Sequence, residues 1–241
     1  MSMMLLVCLG IAVAAPAPEE KDDIKTVLEK AINAQGGEEK LANDKPTTIE
    51  VKGKFYGFGE DGVEYKLSRE STSTKSRMTL EADGFSFVQV FNGEKGWIQL
   101  NDQTMDFGDE EIAEAKENLY RDRVNKLVPL LKDKDFKLSS LGESKLDQKA
   151  VVGIKVAQRG HRDIELYFEK EKGLLVKMVT TVKEMGQEAK QETVLSEYKD
   201  FDGRMIATKM VAYRDGKKYI EGEITECKFH DKLDEKVFDR P

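Results

Sequence analysis

The side chains able to do acid–base or metal chemistry are few and widely separated in this sequence. Its two histidines, His161 and His230, lie in different segments, and neither has a second metal ligand at a useful spacing. The sequence contains no His-Glu-x-x-His, no paired Cys-x-x-Cys, no Gly-x-Ser-x-Gly and no phosphate-binding glycine loop. The residue types therefore predict no catalytic site, no metal site and no cofactor.

Two tripeptides resemble motifs of protein kinases, His161-Arg162-Asp163 and Asp106-Phe107-Gly108. They occur in the reverse of the kinase order and without a glycine-rich loop, so we interpret them as chance matches. The acidic residues also have simple explanations. Asp109 and Glu110 begin a predicted helix, where the helix dipole stabilises negative charge. Glu165 alternates with apolar residues, which is the pattern of a strand with one face in water.

The composition excludes some classes of partner. The chain has 241 residues, of which 39% are hydrophobic and 35% charged, and its formal net charge is −7. Lysine and glutamate are interleaved almost everywhere, so there is no basic patch for a nucleic acid. The length favours one domain or two small ones.

The N-terminal residues have the pattern of a secretory signal peptide. Residues 3–15 form an uncharged apolar run that is too short to span a bilayer and ends in small residues. A cleavage site of the Ala-x-Ala type fits Ala12 to Ala14. We therefore predict a signal peptide at 1–14, a flexible leader at 15–21 and one exported domain at 22–241, periplasmic or otherwise outside the cytoplasm. A retained membrane anchor is the alternative, and after cleavage we expect no transmembrane span.

The two cysteines do not predict a disulfide or a lipid anchor. A lipobox needs a small residue before the modified cysteine, whereas Val7 precedes Cys8, so lipidation at Cys8 is not expected. Removal of the signal peptide leaves Cys227 alone in the chain. A single cysteine cannot form an internal disulfide.

From Asp135 onward the sequence alternates between short apolar–polar segments and turns. Pairs such as Asp202-Gly203 and Asp215-Gly216 separate the segments. Further strand signals lie between Thr47 and Leu100 and include the Asn92-Gly93 hairpin turn. The pattern predicts a mainly β (α+β) fold with about 11–12 antiparallel strands, one face of the sheet wet and the other covered. The segments predicted as strands are 47–58, 63–69, 77–82, 85–91, 95–100, 136–143, 149–158, 161–170, 173–184, 189–199, 205–215 and 217–228.

Two helical elements interrupt this β pattern. Apolar residues recur at helical spacing from Ile24 to Ile32, and Gln35-Gly36-Gly37 ends that helix. A short helical piece at 38–42 follows. Residues 109–131 have helical spacing again, with Pro129 bending or ending the helix.

A set of apolar side chains could form either a packed core or a binding surface. Phe85, Phe87 and Phe91 share strand parity, and Trp97 lies on the return strand of their hairpin. These side chains either pack against the helices or remain partly uncovered to receive a lipid or acyl chain. The candidate ligand-binding residues are Phe55, Phe85, Phe87, Phe91, Trp97, Ile164, Leu166 and Phe168.

The order of these elements resembles that of the LolA-like superfamily of periplasmic lipoprotein carriers and outer-membrane lipoprotein-sorting proteins. The resemblance rests on the helix ending in Gln35-Gly36-Gly37, the hairpin Phe91-Asn92-Gly93-Glu94-Lys95-Gly96-Trp97, the helical interruption and the long meander. It implies a strongly curved, incomplete antiparallel barrel, with the N-terminal helix and the inserted helix as its lid or plug. It also implies that acyl chains of lipids or lipoproteins bind in the apolar concave face without chemistry or a cofactor.

Two functions follow as hypotheses. The first is an exported, non-catalytic lipid- or lipoprotein-binding protein of the cell envelope. The alternative is a protein-interaction or sensor module with a filled core, whose partners are envelope proteins. An exported hydrolase is disfavoured, because the sequence offers no nucleophile and base pair.

Overall fold

The computed structural model describes residues 18–57, 59–184 and 186–241. The predicted signal peptide, Cys8 and residues 15–17 of the predicted leader lie outside these residues. The first helix begins at Pro18, before the expected domain start at 22. A proline is well suited to a first helical position, because its missing N–H would have no partner there.

The described residues form four α-helices and thirteen strands. The helices are α1 (Pro18–Ala34), α2 (Glu38–Ala42), α3 (Asp109–Asn125) and α4 (Val128–Lys132). The strands before α3 are β1 (Thr47–Phe55), β2 (Val63–Ser71), β3 (Ser76–Ala82), β4 (Phe85–Phe91), β5 (Gly96–Leu100) and β6 (Gln103–Asp106). Those after α4 are β7 (Lys137–Leu146), β8 (Lys149–Ala157), β9 (Ile164–Glu169), β10 (Leu175–Glu184), β11 (Gln187–Phe201), β12 (Arg204–Arg214) and β13 (Lys217–Phe229). A 3-10 helix, Glu235–Phe238, follows.

All thirteen strands belong to one antiparallel sheet in the order β6-β5-β4-β3-β2-β1-β13-β12-β11-β10-β9-β8-β7. The sheet does not close, so β6 and β7 are its two edges, and the fold is an incomplete barrel with helices, as the resemblance implied. The thirteenth strand is β6, which the sequence analysis missed. It has four residues and ends just before α3, so its pattern is too short to recognise.

The topology decides where the inserted helices lie. Because β6 and β7 are opposite edges of the sheet, the chain between them must connect one edge to the other. That connection consists of α3 and α4. The single helix predicted at 109–131 is therefore two helices. Leu127 separates them with a φ of 59°, and Pro129, which has no N–H to donate, lies in the first turn of α4.

The helices cover one face of the sheet, which we call the inner face. Ile154, Leu166 and Phe168 on β8 and β9 pack there with residues of α1, α3 and α4, such as Leu28 and Val124. The opposite side is the outer face. Side chains alternate between the faces along each strand, and directly paired residues of neighbouring strands share a face. The register therefore assigns each strand residue to a face.

Candidate functional site

The inner face is filled on one half of the sheet. On β8, β9 and β10, Ile154 pairs with Leu166 and Leu166 with Met178. Ile154 and Leu166 are at most 1% exposed, because α1, α3 and α4 pack on them. Two further predicted site residues, Ile164 and Phe168, lie in the same cluster and are equally buried. These side chains form a packed core.

The same face is accessible on the other half of the sheet. There the register aligns one apolar residue from each of six neighbouring strands, and we call this set the apolar row. None of its members is buried. In spatial order they are Leu100, Phe87, Leu80, Leu67, Val51 and Ile224.

Exposed apolar side chains continue along the end of the apolar row. Phe85 is 42% exposed, Leu100 37% and Met105 54%, and the register places all three on the inner face. A contiguous apolar surface of this kind is a common mark of a binding site in a soluble protein. The apolar row with Phe85 and Met105 is therefore the candidate functional site.

The predicted site residues divide between this surface and other places. Phe85 and Phe87 belong to it. Phe55 lies on the inner face opposite Val63, and its ring meets the edge of Tyr219 at a centroid distance of 4.9 Å. Phe91 shares the inner face, but it is only 1% exposed.

Trp97 lies on the opposite side of the sheet from Phe85 and Phe87, so the expectation that it lines the same face is corrected. It pairs with Val90, whose side chain faces outward because Val90 lies between the inward residues Gln89 and Phe91. Trp97 packs with Val88, Val90 and Phe238. Membership of the same hairpin does not decide the face, since a shift of one residue reverses it.

A C-terminal segment, residues 230–241, covers this part of the outer face. It begins beside β1, where the His230 N–H donates to the Pro46 carbonyl at 2.8 Å. It passes β3, where Arg77 Nη1 donates to the Val237 carbonyl at 3.3 Å. It ends at β6, where Arg240 and Asp106 form an ion pair at 3.4 Å. The segment thus crosses the strands that carry most of the apolar row, on their other side.

A glycine pair brings two central strands unusually close beside the apolar row. Gly53 on β1 lies opposite Gly222 on β13 and opposite Tyr65 on β2. A Cβ atom at Gly53 would lie 1.9 Å from the Glu221 carbonyl oxygen. The Tyr65 hydroxyl donates to that same carbonyl at 3.1 Å, and burial raises the pKa of Tyr65 to about 12. The side chain of Tyr65 therefore stabilises the close approach that the glycines permit.

A cavity of about 960 Å³ adjoins the apolar row. Its lining includes Gly53, Tyr65 and Ala82, each two positions along its strand from a member of the row. It also includes charged residues of opposite sign, such as Lys52 and Glu223, whose Nζ and Oε2 atoms are 3.8 Å apart. None of the six members of the row lines the cavity, and the charged pair Lys52 and Glu223 occupies outward positions of β1 and β13.

Acidic residues attach α3 to the covered half of the sheet. Glu114 pairs with Arg162, and Glu117 accepts the Arg162 N–H at 3.2 Å. Glu110 accepts the Gly186 N–H at 2.7 Å. These contacts place the three carboxylates on the loops beside β9, β10 and β11.

A second contact attaches α3 to the open half. Asp122 forms a two-point ion pair with Arg69 on β2, and Arg69 lies on the inner face two residues beyond Leu67. Asp122 raises the pKa of Arg69 further above its usual value. The helix therefore bridges the two halves, with its C-terminal part beside the apolar row.

The residues that suggested chemistry have structural partners. The His161 ring stacks on Tyr120 at 4.0 Å, and its Nδ1 lies 2.9 Å from Glu117. His230 Nε2 lies 3.0 Å from the Thr48 hydroxyl. Cys227 is a buried free thiol, and burial raises its pKa to about 11. Among the described residues, no group of three or more His, Cys, Asp or Glu is placed to hold a metal ion.

No family model and no curated protein matches the sequence. Solved structures do match. A DUF1329 family protein from Desulfovibrio piger is 11% identical, with 90% of this chain and 97% of that chain covered and a TM-score of 0.56. A LolA superfamily protein from Nitrosomonas europaea is 11% identical, with the same coverage and a TM-score of 0.54.

A third match is a putative outer membrane lipoprotein-sorting protein domain from Vibrio parahaemolyticus. It is 12% identical, with 89% and 95% of the two chains covered and a TM-score of 0.51. The chain has a LolA-like fold. At these identities the likeness concerns the fold alone. Within the described residues of this LolA-like chain, no helix is long and apolar enough to cross a membrane.

Sequence reasoning missed five of the six members of the apolar row. Val51, Leu67 and Leu80 each lie at inward positions of predicted strands, so strand parity was the available signal. Parity shows which residues share a face along one strand. It does not show which strands the helices leave uncovered.

Proposed function

We propose that this protein is an exported, non-catalytic lipid-binding protein of the cell envelope that holds acyl chains against the apolar row. The observation that carries the proposal is the difference between two halves of one face. The helices bury Ile154 and Leu166 almost completely, whereas all six members of the apolar row remain accessible. The LolA-like fold supports the same function, and the predicted signal peptide agrees with export.

The dimensions of the apolar row suit an acyl chain. Six strands at a spacing of about 4.8 Å make an arc of about 24 Å across the sheet. An acyl chain in one leaflet of a bilayer is about 15 Å long, half of a hydrocarbon core of about 30 Å. Each methylene that leaves water on this surface contributes about 0.8 kcal/mol, so a partly open groove is enough for useful affinity.

The test compares two charge-introducing variants at neighbouring positions. Leu67→Glu places a carboxylate in the apolar row, and Lys66→Glu places one on the exposed outer face. We expect the wild type and Lys66→Glu to bind palmitate in equilibrium dialysis, and Leu67→Glu to lose at least about tenfold in affinity, because a charge would be desolvated beside the ligand. Circular dichroism and thermal unfolding show whether both variants fold.

A result of no binding by wild-type protein, with no lipid found in organic extracts of the purified chain, would contradict the proposal. Equal affinity of Leu67→Glu and Lys66→Glu would also contradict it, because binding would then occur elsewhere.

The alternative function, a protein-interaction or sensor module in the envelope, is favoured by the filled half of the inner face around Leu166. It predicts that neither the wild type nor either variant binds lipid. Leu67→Glu would instead change the binding of a protein partner.

A further inference from the structure

The inner side of α3 carries a guanidinium group that has no direct partner. Arg121 is partly buried, and among the described residues no hydrogen bond or ion pair connects it to another side chain. Glu114 lies seven positions before Arg121 in the helix and therefore on the same side of it. Because Glu114 contacts Arg162 and the Lys183 N–H of the sheet, that side is turned inward.

The nearby carboxylates are engaged by other groups. Asp122 is held by both terminal nitrogens of Arg69. Glu117 is bonded to the His161 ring and to the Arg162 N–H. Burial lowers the pKa of the Arg121 guanidinium, and the attraction of Asp122, Glu114 and Glu117 offsets that effect only in part. An additional anion would stabilise it.

Arg121 lies close enough to Arg69 for the two positive charges to act on each other, which places it beside one part of the apolar row. The Asp122 ion pair fixes the helix above Arg69, and Arg69 is two residues from Leu67 on the same face, about 7 Å along the strand. From Leu67 to Leu100 the row crosses three strand spacings, about 14 Å. That distance matches an acyl chain of about 15 Å that begins at the arginines and ends at the exposed edge of the row.

We propose that the site selects anionic amphiphiles, whose carboxylate or phosphate head meets Arg121 beside Arg69 while the acyl chain lies along the apolar row toward Leu100. This inference rests on the proposed function and adds the class of head group. A guanidinium binds carboxylate and phosphate in a two-point geometry, so either head fits. A neutral or cationic head would form no ion pair with Arg121.

The experiment compares ligands that share a sixteen-carbon chain: palmitate, hexadecyl phosphate, hexadecanol and hexadecyltrimethylammonium. Each is measured by equilibrium dialysis at a concentration at which it dissolves as single molecules. We expect the two anions to bind at least about tenfold more tightly than hexadecanol, the effect of one charge-assisted hydrogen bond at a partly buried site. Acetate and inorganic phosphate, which have the head without the chain, should not displace palmitate at the same concentration.

Three variants assign the preference to Arg121. Arg121→Gln should bring the affinity for palmitate close to that for hexadecanol. Arg121→Lys should keep part of the preference, because it keeps the charge. Lys116→Gln removes a charge from an exposed position of the same helix and should keep the full preference.

The outcomes separate this inference from the function on which it rests. If all four amphiphiles bind wild-type protein equally, or if Arg121→Gln behaves as Lys116→Gln does, the head-group inference is overturned and lipid binding stands. If none of the four binds, both fail. If hexadecyltrimethylammonium binds most tightly, the site selects cations, and the charged lining of the adjoining cavity accounts for it better than Arg121 does.

Discussion

At the scale of single residues, the strongest constraint is the approach of β1 and β13 at Gly53 and Gly222. The chain has no room for a Cβ atom at Gly53, since that atom would lie 1.9 Å from a backbone oxygen of Glu221. Tyr65 lies on the same face and bonds to the same carbonyl. The three residues stabilise the centre of the sheet beside the apolar row. Phe87 and Leu67, by contrast, are only partly buried.

Gly53→Ala should destabilise the protein by about 1–3 kcal/mol, because the new methyl group must displace backbone atoms in a packed sheet. Urea unfolding at equilibrium measures the loss. Gly108→Ala is the comparison: its Cβ meets only the flexible Glu111 carboxylate, at 3.0 Å, so it should cost only the effect of alanine at the N-cap of α3, about 1 kcal/mol or less. If the two substitutions cost the same, the close approach of β1 and β13 is not a constraint on stability.

At the scale of elements, two segments act on the open half of the sheet from opposite sides. On the inner side, α3 connects Arg162 beside the covered half with Arg69 on β2. On the outer side, the C-terminal segment crosses β1 to β6 and packs Phe238 against Val88 and Val90. The open half therefore depends on the C-terminal segment for a small core of its own, because the helices do not supply one there.

Phe238→Ala should destabilise the protein by about 3 kcal/mol, the usual cost of removing a buried phenyl ring. Trp97 packs in the same cluster, so its fluorescence emission should shift to longer wavelength as water reaches it. Lys236→Ala, on the same turn but exposed, should change neither property. By the same geometry, a ligand on the inner face should leave Trp97 emission nearly unchanged, and a large change on adding palmitate would contradict the assigned face.

At the scale of the whole molecule, a single sheet carries a filled half and an open half. The filled half provides most of the buried apolar surface, including Leu28, Leu127 and Leu166. The open half presents the same face to water. Stability is therefore distributed unevenly, because regions with few buried apolar contacts open at lower free energy than the core.

Hydrogen exchange should show this asymmetry directly. Backbone amides of β8–β10 should exchange more slowly than those of β3–β5, and palmitate should slow exchange in β1–β5 while leaving β8–β10 unchanged. Mass spectrometry of peptic fragments measures both effects. Protection by palmitate confined to β8–β10 would place the ligand under the helices and contradict the candidate site.

Most of the helices and strands could be predicted from the sequence, because their signals are local. The Asn92-Gly93 turn, the alternation of Phe85 and Phe87 and the helical spacing of Ile24 to Ile32 are local signals, and local geometry produces them. The short β6 and the separation of α3 from α4 at Leu127 are weak local signals and were missed. Trp97 was placed on the wrong face because the register between β4 and β5 depends on the turn, which the sequence does not specify to the residue.

The sequence by itself determined a long antiparallel meander with an apolar face and two helical interruptions, because alternation and turn residues are visible along the chain. It also showed that side chains able to do acid–base or metal chemistry are few and widely separated. Only the tertiary structure decided which half of that face the helices fill. The edges β6 and β7 lie far apart in the sheet, and the helices between them pack on β8 and β9. Whether Leu67 and Leu166, both inward residues of amphipathic strands, meet a ligand or a helix depends on that long-range packing, which no local pattern encodes.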